Sequence, residues 1–292
     1  MKAVALLVAS AALLLGGCAS ADAGDDARMP VTAAFYPLQF VAERVGGEHV
    51  RVTSLTKPGV EPHDLELTPR AVGSLADAAA VVYLAGFQPA VDEAVRSQAA
   101  DAALDVTPAA RLTLTTAEGH ADPHFWLDPT RLADVADAVA DDLARRDPAN
   151  AADYRANAAA LVTDLHELDA EYRTGLAQCR TRELVTGHAA FGYLAERYDL
   201  HQEGVAGVSP DIEPDAASLR DLSAHVRDAG VTTVYSESLV SPALAETVAR
   251  EAGAKVAVLD PLEGITTASR GADYLEVMRA DLQTLRAGQE CP

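Results

Sequence analysis

Three of the eight histidines in this 292-residue chain stand where an apolar run or loop gives way to a helical pattern. They are His63 in EPHD (61–64), His124 in DPHFWLDP (122–129) and His188 in TGHAAFGY (186–193). Neutral imidazole is the commonest metal ligand in proteins, and a proline beside two of these residues stiffens the loop that carries them. The three positions therefore predict a metal site.

A fourth ligand is expected from Asp260, in LDP (259–261), which follows the apolar run 255–259. In parallel α/β sheets, ligands bind beyond the carboxyl ends of the strands, where such a residue would lie. Three imidazoles and one carboxylate complete the four-ligand shell that Zn²⁺ prefers. Glu61 and Glu237 are alternative oxygen ligands, because one adjoins a candidate histidine and the other follows another apolar run.

The other five histidines are not assigned to this site. His120 is an intermediate case, because it precedes His124 by four residues in the short acidic loop 118–122. The remaining four lie in predicted exposed or packing positions: His49, His166, His201 and His225.

The chain alternates between short apolar runs and helical patterns, which argues for parallel sheets covered by helices. The predicted strands, four in each half, are 31–35, 50–55, 80–84, 103–106, 184–186, 200–205, 232–236 and 255–259. The predicted helices between them are 37–45, 68–78, 88–98, 193–198, 215–228, 242–251 and 272–286.

A different segment, 147–179, separates the two halves. It lacks internal glycine and proline from Ala149 to Thr174, and five large apolar residues recur at helical spacing on one face. About 30 residues of helix span roughly 45 Å, which is long enough to join two lobes as a stiff strut. We therefore predict an α/β fold of two lobes, 30–146 and 180–292, each with a four-stranded parallel sheet flanked by helices, joined by this long rigid helix.

The N-terminus has the features of an export signal. Lys2 and the apolar stretch 3–15 lead to a Leu-Gly-Gly-Cys sequence ending at Cys18, which resembles the lipobox of bacterial lipoproteins. This predicts a signal peptide over 1–17, a lipidated flexible tether over 18–29, and an extracytoplasmic protein anchored to the cell membrane. An ordinary secretory signal with an incidental cysteine is the alternative.

The net charge excludes some classes of partner, and the cysteines bear on disulfide formation. The formal net charge of −21 argues against nucleic acid and anionic lipid surfaces as partners. With Cys18 lipidated, Cys179 and Cys291 are an even pair in an oxidising compartment, which predicts a disulfide, with two buried free thiols as the alternative. Neither has a CxxC partner, so a thiolate metal site is not expected.

The four quoted segments, in this order, resemble the metal-binding signatures of the cluster A-I (TroA/ZnuA-like) group of solute-binding components of ABC importers. The resemblance covers the chain from Val31 onward and implies two lobes bridged by one rigid helix, with the metal between them. It implies that His63 and His124 are ligands from the first lobe. It implies that His188 and Asp260 are ligands from the second.

The resemblance also implies a cargo and a partner. A histidine at 188 favours Zn²⁺, because manganese members of the group have a carboxylate there and Mn²⁺ prefers oxygen ligands. The loop 118–122 is shorter than the His- and acid-rich loop of many zinc members, so a reservoir role is not expected. We expect a monomeric, non-enzymatic protein that captures zinc and delivers it to the membrane permease of an ABC importer.

Three other functions remain as alternatives. One is a manganese-specific binding protein of the same group. Another is a zinc metallohydrolase with Glu61 or Glu237 as the base, although the chain has no HExxH helix. A surface adhesin role is at most secondary, because no segment encodes an adhesive surface.

Overall fold

The computed structural model describes residues 28–116, 119–210 and 214–292. The predicted signal peptide, the predicted lipidation site at Cys18 and nearly all of the predicted tether lie outside these residues. Within the described ranges, no helix is both long and apolar enough to cross a membrane.

Each half of the chain forms one four-stranded sheet in which all strands run parallel. The strands are β1 (Met29–Ala33), β2 (Val50–Ser54), β3 (Ala80–Tyr83), β4 (Ala103–Asp105), β5 (Glu183–Thr186), β6 (His201–Gly204), β7 (Thr233–Ser236) and β8 (Lys255–Val258). The sheet orders, β2-β1-β3-β4 and β6-β5-β7-β8, follow one plan. The predicted fold class is confirmed, and each predicted strand is present with its ends shifted by at most two residues.

Helices flank both sheets. They are α1 (Tyr36–Gly46), α2 (Pro69–Ser74), α3 (Pro89–Gln98), α4 (Thr107–Ala110), α5 (Pro129–Arg146), α6 (Ala151–Leu176), α7 (Gly192–Tyr198), α8 (Ala216–Asp228), α9 (Ala243–Ala252) and α10 (Tyr274–Gly288). Side-chain caps explain several starts: Thr68 accepts from the N–H of Ala71, and Asp128 accepts from the N–H of Thr130. The apolar pattern of the sequence did not yield a predicted range for α5.

The long helix α6 has 26 residues and is about 39 Å long at 1.5 Å per residue. It begins at Ala151, because residues 148–150 form a separate 3₁₀ turn. The side chain of Asp147 holds this turn by accepting hydrogen bonds from Asn150 and Tyr154. The buried face of α6 packs against α1 and α5 of the first half and α10 of the second, so the helix joins the two lobes.

The lobes also contact each other directly. The indole N–H of Trp126 donates to the carbonyl of Pro261 at 2.8 Å, and the hydroxyl of Tyr274 donates to the carbonyl of Trp126 at 2.5 Å. The ring of Tyr274 stacks on Phe40 of α1 with centroids 5.3 Å apart. One hydrophobic core therefore continues from the first sheet into the second half.

A disulfide joins Cys179 to Cys291, which confirms the predicted pair. Cys179 lies just after α6 and before β5 begins, and Cys291 lies just after α10. The backbone N–H groups of Arg180 and Thr181 donate to the carbonyl of Gln289 beside it. The domain limits 30–146, 147–179 and 180–292 stay a prediction.

Candidate metal centre

His63 lies in the loop between β2 and α2. Its backbone N–H donates to the carboxylate of Glu61, at 3.0 and 3.1 Å from the two oxygens. The imidazole and the ring of Phe87 pack perpendicular to each other with centroids 4.9 Å apart. About 9% of the side chain remains exposed, so this residue is the most accessible part of the centre.

His124 lies between β4 and α5 and is completely buried. One carboxylate oxygen of Asp122 lies 2.8 Å from its Nδ1 and 2.9 Å from its backbone nitrogen. A carboxylate only accepts hydrogen bonds, so Nδ1 carries a proton and Nε2 is directed to the centre.

His188 follows β5 and is held in the same way by Glu237. The carboxylate of Glu237 lies 2.6 Å from Nδ1 and 2.7 Å from the backbone nitrogen of His188. The preceding Gly187 makes this approach possible, because a Cβ there would lie 2.6 Å from the Glu237 oxygen. A carboxylate behind a metal-binding imidazole fixes its tautomer and orientation.

The fourth donor brought to these histidines is Glu263, in the loop between β8 and α10. Its Oε1 lies 3.1 Å from Nε2 of His63, 3.0 Å from that of His124 and 3.4 Å from that of His188. Its Oε2 is buried and has no hydrogen-bond partner among the described residues. A fully buried carboxylate facing three imidazoles is suited to a cation.

Asp260, predicted as the fourth ligand, does not belong to this group. Its Oδ1 accepts from the N–H of Leu262 at 2.9 Å, and its Oδ2 accepts from the hydroxyl of Ser238 at 2.9 Å. The chain continues past the strand end, and Leu262, with φ of 58°, turns Glu263 toward the histidines. We therefore replace Asp260 by Glu263 in the candidate ligand set.

Five of the six distances between the four donor atoms fit a tetrahedral ion, and all six are within 4.8 Å. Nε2 of His124 lies 3.2 Å from that of His63 and 3.4 Å from that of His188. With the three distances to Glu263, these donor-to-donor separations span 3.0–3.4 Å. Donors on a tetrahedral zinc ion with bonds of about 2.0–2.1 Å lie about 3.3 Å apart.

Glu263 contacts all three histidines, so the pKa values of the four groups depend on one another. Burial raises its pKa, but hydrogen bonds from the three histidines outweigh this and hold the pKa well below its usual range. Burial lowers the pKa of His188, but hydrogen bonds to Glu237 and Glu263 outweigh that effect and raise it to about 10. For His63, burial prevails and lowers the pKa. The raised pKa favours the protonated imidazolium form of His188 at neutral pH, in competition with a cation.

The other candidates lie outside the four-donor group. Glu61 has an oxygen 3.9 Å from Nε2 of His63, and Glu237 orients His188. His120 is exposed beside a cavity of about 400 Å³ that His63 also lines. The remaining four histidines are not part of the group: His49, His166, His201 and His225. Sequence reasoning missed Glu263, although it follows a proline by two residues in the loop LDPLEG.

The fold and the site together define a two-lobed metal-binding protein with a buried His₃Glu centre between the lobes. The model of one family, described as zinc-uptake complex component A, periplasmic, matches residues 31–288. The chain belongs to this family, which confirms the resemblance noted above. The family is one of metal-binding transport components.

Individual relatives agree with this membership. Zinc-binding protein AdcA of Streptococcus pyogenes is 34% identical over 288 residues, which cover 89% of this chain and 56% of that protein. The chain thus spans little more than half of AdcA. High-affinity zinc uptake system protein ZnuA of Bacillus subtilis is 32% identical, covering 96% of this chain and 95% of that protein.

A solved structure is similar as well. It is the Zn(II)-bound ZnuA-like domain of Streptococcus pneumoniae AdcA, with 33% identity and a TM-score of 0.77. The similarity covers 90% of this chain and 99% of that one.

Proposed function

We propose that this protein captures Zn²⁺ between its lobes and delivers it to the permease of an ABC importer. The observation that carries this proposal is a set of four converging donors, three imidazoles and one carboxylate, of which all but His63 are buried. The zinc named in the descriptions of the family and of both relatives supports the same cargo.

The proposed ligands are His63, His124, His188 and Glu263. Three nitrogens and one oxygen suit Zn²⁺ better than Mn²⁺, which prefers oxygen ligands and a higher coordination number. Asp122 and Glu237 complete the site by fixing two of the imidazoles. A manganese-specific protein is therefore the less favoured alternative.

We further propose that the protein is monomeric and anchored outside the cytoplasm by lipid on Cys18. The Leu-Gly-Gly-Cys sequence supports the anchor, as does the description of a Streptococcus pneumoniae relative as a zinc-binding lipoprotein. The acidic surface implied by a net charge of −21 agrees with a partner other than nucleic acid.

The protein is proposed to bind zinc without catalysis. A zinc hydrolase needs a coordination position open to water and substrate, together with a nearby base. Here four protein donors close the shell. The two candidate bases, Glu61 and Glu237, accept hydrogen bonds from histidines of the site instead.

Metal titration of the apo-protein tests the proposal. Trp126 is the only tryptophan, and its ring lies 5.2 Å from that of His124, so its fluorescence should change when metal binds. We expect one zinc ion per chain and displacement of manganese by zinc in competition. A preference for manganese would contradict the cargo, and absence of tight binding of either ion would contradict the function.

A further inference from the structure

The turn that carries Glu263 is held by four polar side chains that lie outside the four-donor group. We call these residues the turn anchor: Ser238, Asp260, Ser269 and Asp281. Asp260 is the centre of the turn anchor, because every other member hydrogen-bonds to it.

Asp260 is fixed from both sides. Its Oδ1 accepts from the N–H of Leu262, and its Oδ2 accepts from the hydroxyls of Ser238 at 2.9 Å and Ser269 at 3.4 Å. Its own backbone N–H points to the carboxyl group of Asp281 on α10, 3.2 Å from each oxygen. The residue thus connects the β7 loop, the β8 loop and α10.

The turn needs such support, because Leu262 has a φ of 58°. A bulky side chain rarely adopts this left-handed conformation, which persists only where surrounding contacts hold it. Asp260 and Asp281 are 4% and 2% exposed, and burying two neighbouring carboxyl groups is unfavourable. Both carboxyl groups accept backbone N–H bonds of this turn, Asp260 from Leu262 and Asp281 from Asp260, which offsets part of that cost.

We propose that Asp260 is a positioning residue for zinc binding, which holds the Glu263 carboxylate at tetrahedral distance from the three imidazoles. Through Ser238 it also holds the residue next to Glu237, which orients His188. The turn anchor thereby links two of the four donors. This inference rests on the proposed zinc-binding function.

A double-mutant cycle separates this role from direct ligation and from general stability. Zinc affinity is measured for wild type, Asp260→Ala, Glu263→Ala and the double variant. Asp260→Ala should weaken zinc binding about 10–100-fold, the usual range for residues that orient a ligand. In the Glu263→Ala background the same change should cost clearly less, because only the route through Ser238, Glu237 and His188 remains.

Asp273→Ala is the matched control. Asp273 also accepts a backbone N–H bond in the second lobe, from Glu276, but it caps α10 and does not contact the turn. We expect this variant to lose thermal stability with unchanged zinc affinity. Equal affinity of wild type and Asp260→Ala would overturn the inference, as would an equal loss in both backgrounds. Failure of wild type to bind zinc would instead contradict the proposed function.

The absorption spectrum of bound Co²⁺ is a readout that a change in protein stability alone does not alter. Four-coordinate Co²⁺ absorbs visible light with an intensity and position that depend on donor geometry. The spectrum should change in Asp260→Ala and in the milder Ser238→Ala, and should be restored in Asp260→Asn, which keeps an acceptor for the Leu262 N–H. Spectra identical to wild type in Ser238→Ala and Asp260→Ala would count against a positioning role.

Discussion

The imidazoles of His124 and His188 each present Nδ1 to a buried carboxylate, from Asp122 and Glu237. This leaves Nε2 facing the centre, where Glu263 accepts from all three histidines. A bound Zn²⁺ would take over the interactions that now join these groups. The site is therefore preorganised, because its donors already stand at the distances that the ion requires.

At the residue scale, the ligand assignment can be tested at Glu263. Replacing Glu263 by Ala should weaken zinc binding by more than the roughly 10–100-fold that is typical for loss of an orienting residue, because a donor is removed. Isothermal titration against a competing chelator measures this. If Glu263→Ala binds zinc as wild type does, Glu263 is not a ligand.

Selectivity belongs to the same scale and depends on His188. Exchanging His188 for Glu gives two nitrogen and two oxygen donors, which should weaken zinc binding and narrow its advantage over manganese. A zinc-versus-manganese competition on both proteins gives the ratio. An unchanged ratio would show that position 188 does not set the preference.

The pH dependence of binding follows from the raised pKa of His188. Because this pKa is about 10 in the metal-free protein, zinc must displace a proton throughout the neutral range. Affinity should therefore rise with pH between about 6.5 and 8, by roughly a factor of ten per unit for each proton released. An ordinary histidine, with a pKa near 6.5, would show a plateau above about pH 7.

Proton release can be measured directly by titration calorimetry in two buffers of different ionisation enthalpy. We expect at least one proton per zinc ion at pH 7.5. A buffer-independent enthalpy at that pH, together with a flat affinity profile, would contradict a protonated His188.

At the element scale, the candidate metal ligands and the disulfide lie at opposite ends of the strands. The Cys179–Cys291 bond lies before β5 begins, at the amino edge of the second sheet. The donors lie in the loops after β2, β5 and β8 and, for His124, in the segment between α4 and α5. Stability and binding should therefore be separable.

Replacing both Cys179 and Cys291 by Ser tests this separation. Loss of a bond between residues 112 positions apart should lower the free energy of unfolding by about 2–4 kcal/mol. Denaturant unfolding measures this change, and zinc titration should give an unchanged affinity. Reactive thiols in the denatured, unreduced wild type would show that the bond is not formed.

For the molecule as a whole, α6 and the direct lobe contacts limit domain motion. Trp126 is joined to Pro261 and to Tyr274 across the lobes, and α6 packs on helices of both halves. A hinge would have to break these buried hydrogen bonds, each of which is costly to leave unpaired.

We therefore expect zinc to change the site without closing the molecule. The radius of gyration from small-angle X-ray scattering should agree between apo and zinc-bound protein within experimental error. Hydrogen exchange should slow in the loops that carry the donors, above all in residues 260–264. A clear compaction on zinc binding would contradict a rigid connection.

Much of this organisation could be predicted from the chain alone. The period of the apolar residues separates strands from helices, because it reflects which face each element buries. That local signal was sufficient for the eight strands, for α6 and for the corners at which His63, His124 and His188 stand. The cysteine pair followed from its parity and compartment.

The identity of the fourth donor was decided by tertiary structure. Asp260 and Glu263 are carboxylates in one loop, and no local pattern distinguishes them. Their roles depend on the left-handed Leu262, on the hydroxyl of Ser238 from another strand loop, and on Asp281 from α10. Because these contacts join residues that are distant in the chain, only the folded protein turns Glu263 toward the imidazoles and engages Asp260 elsewhere.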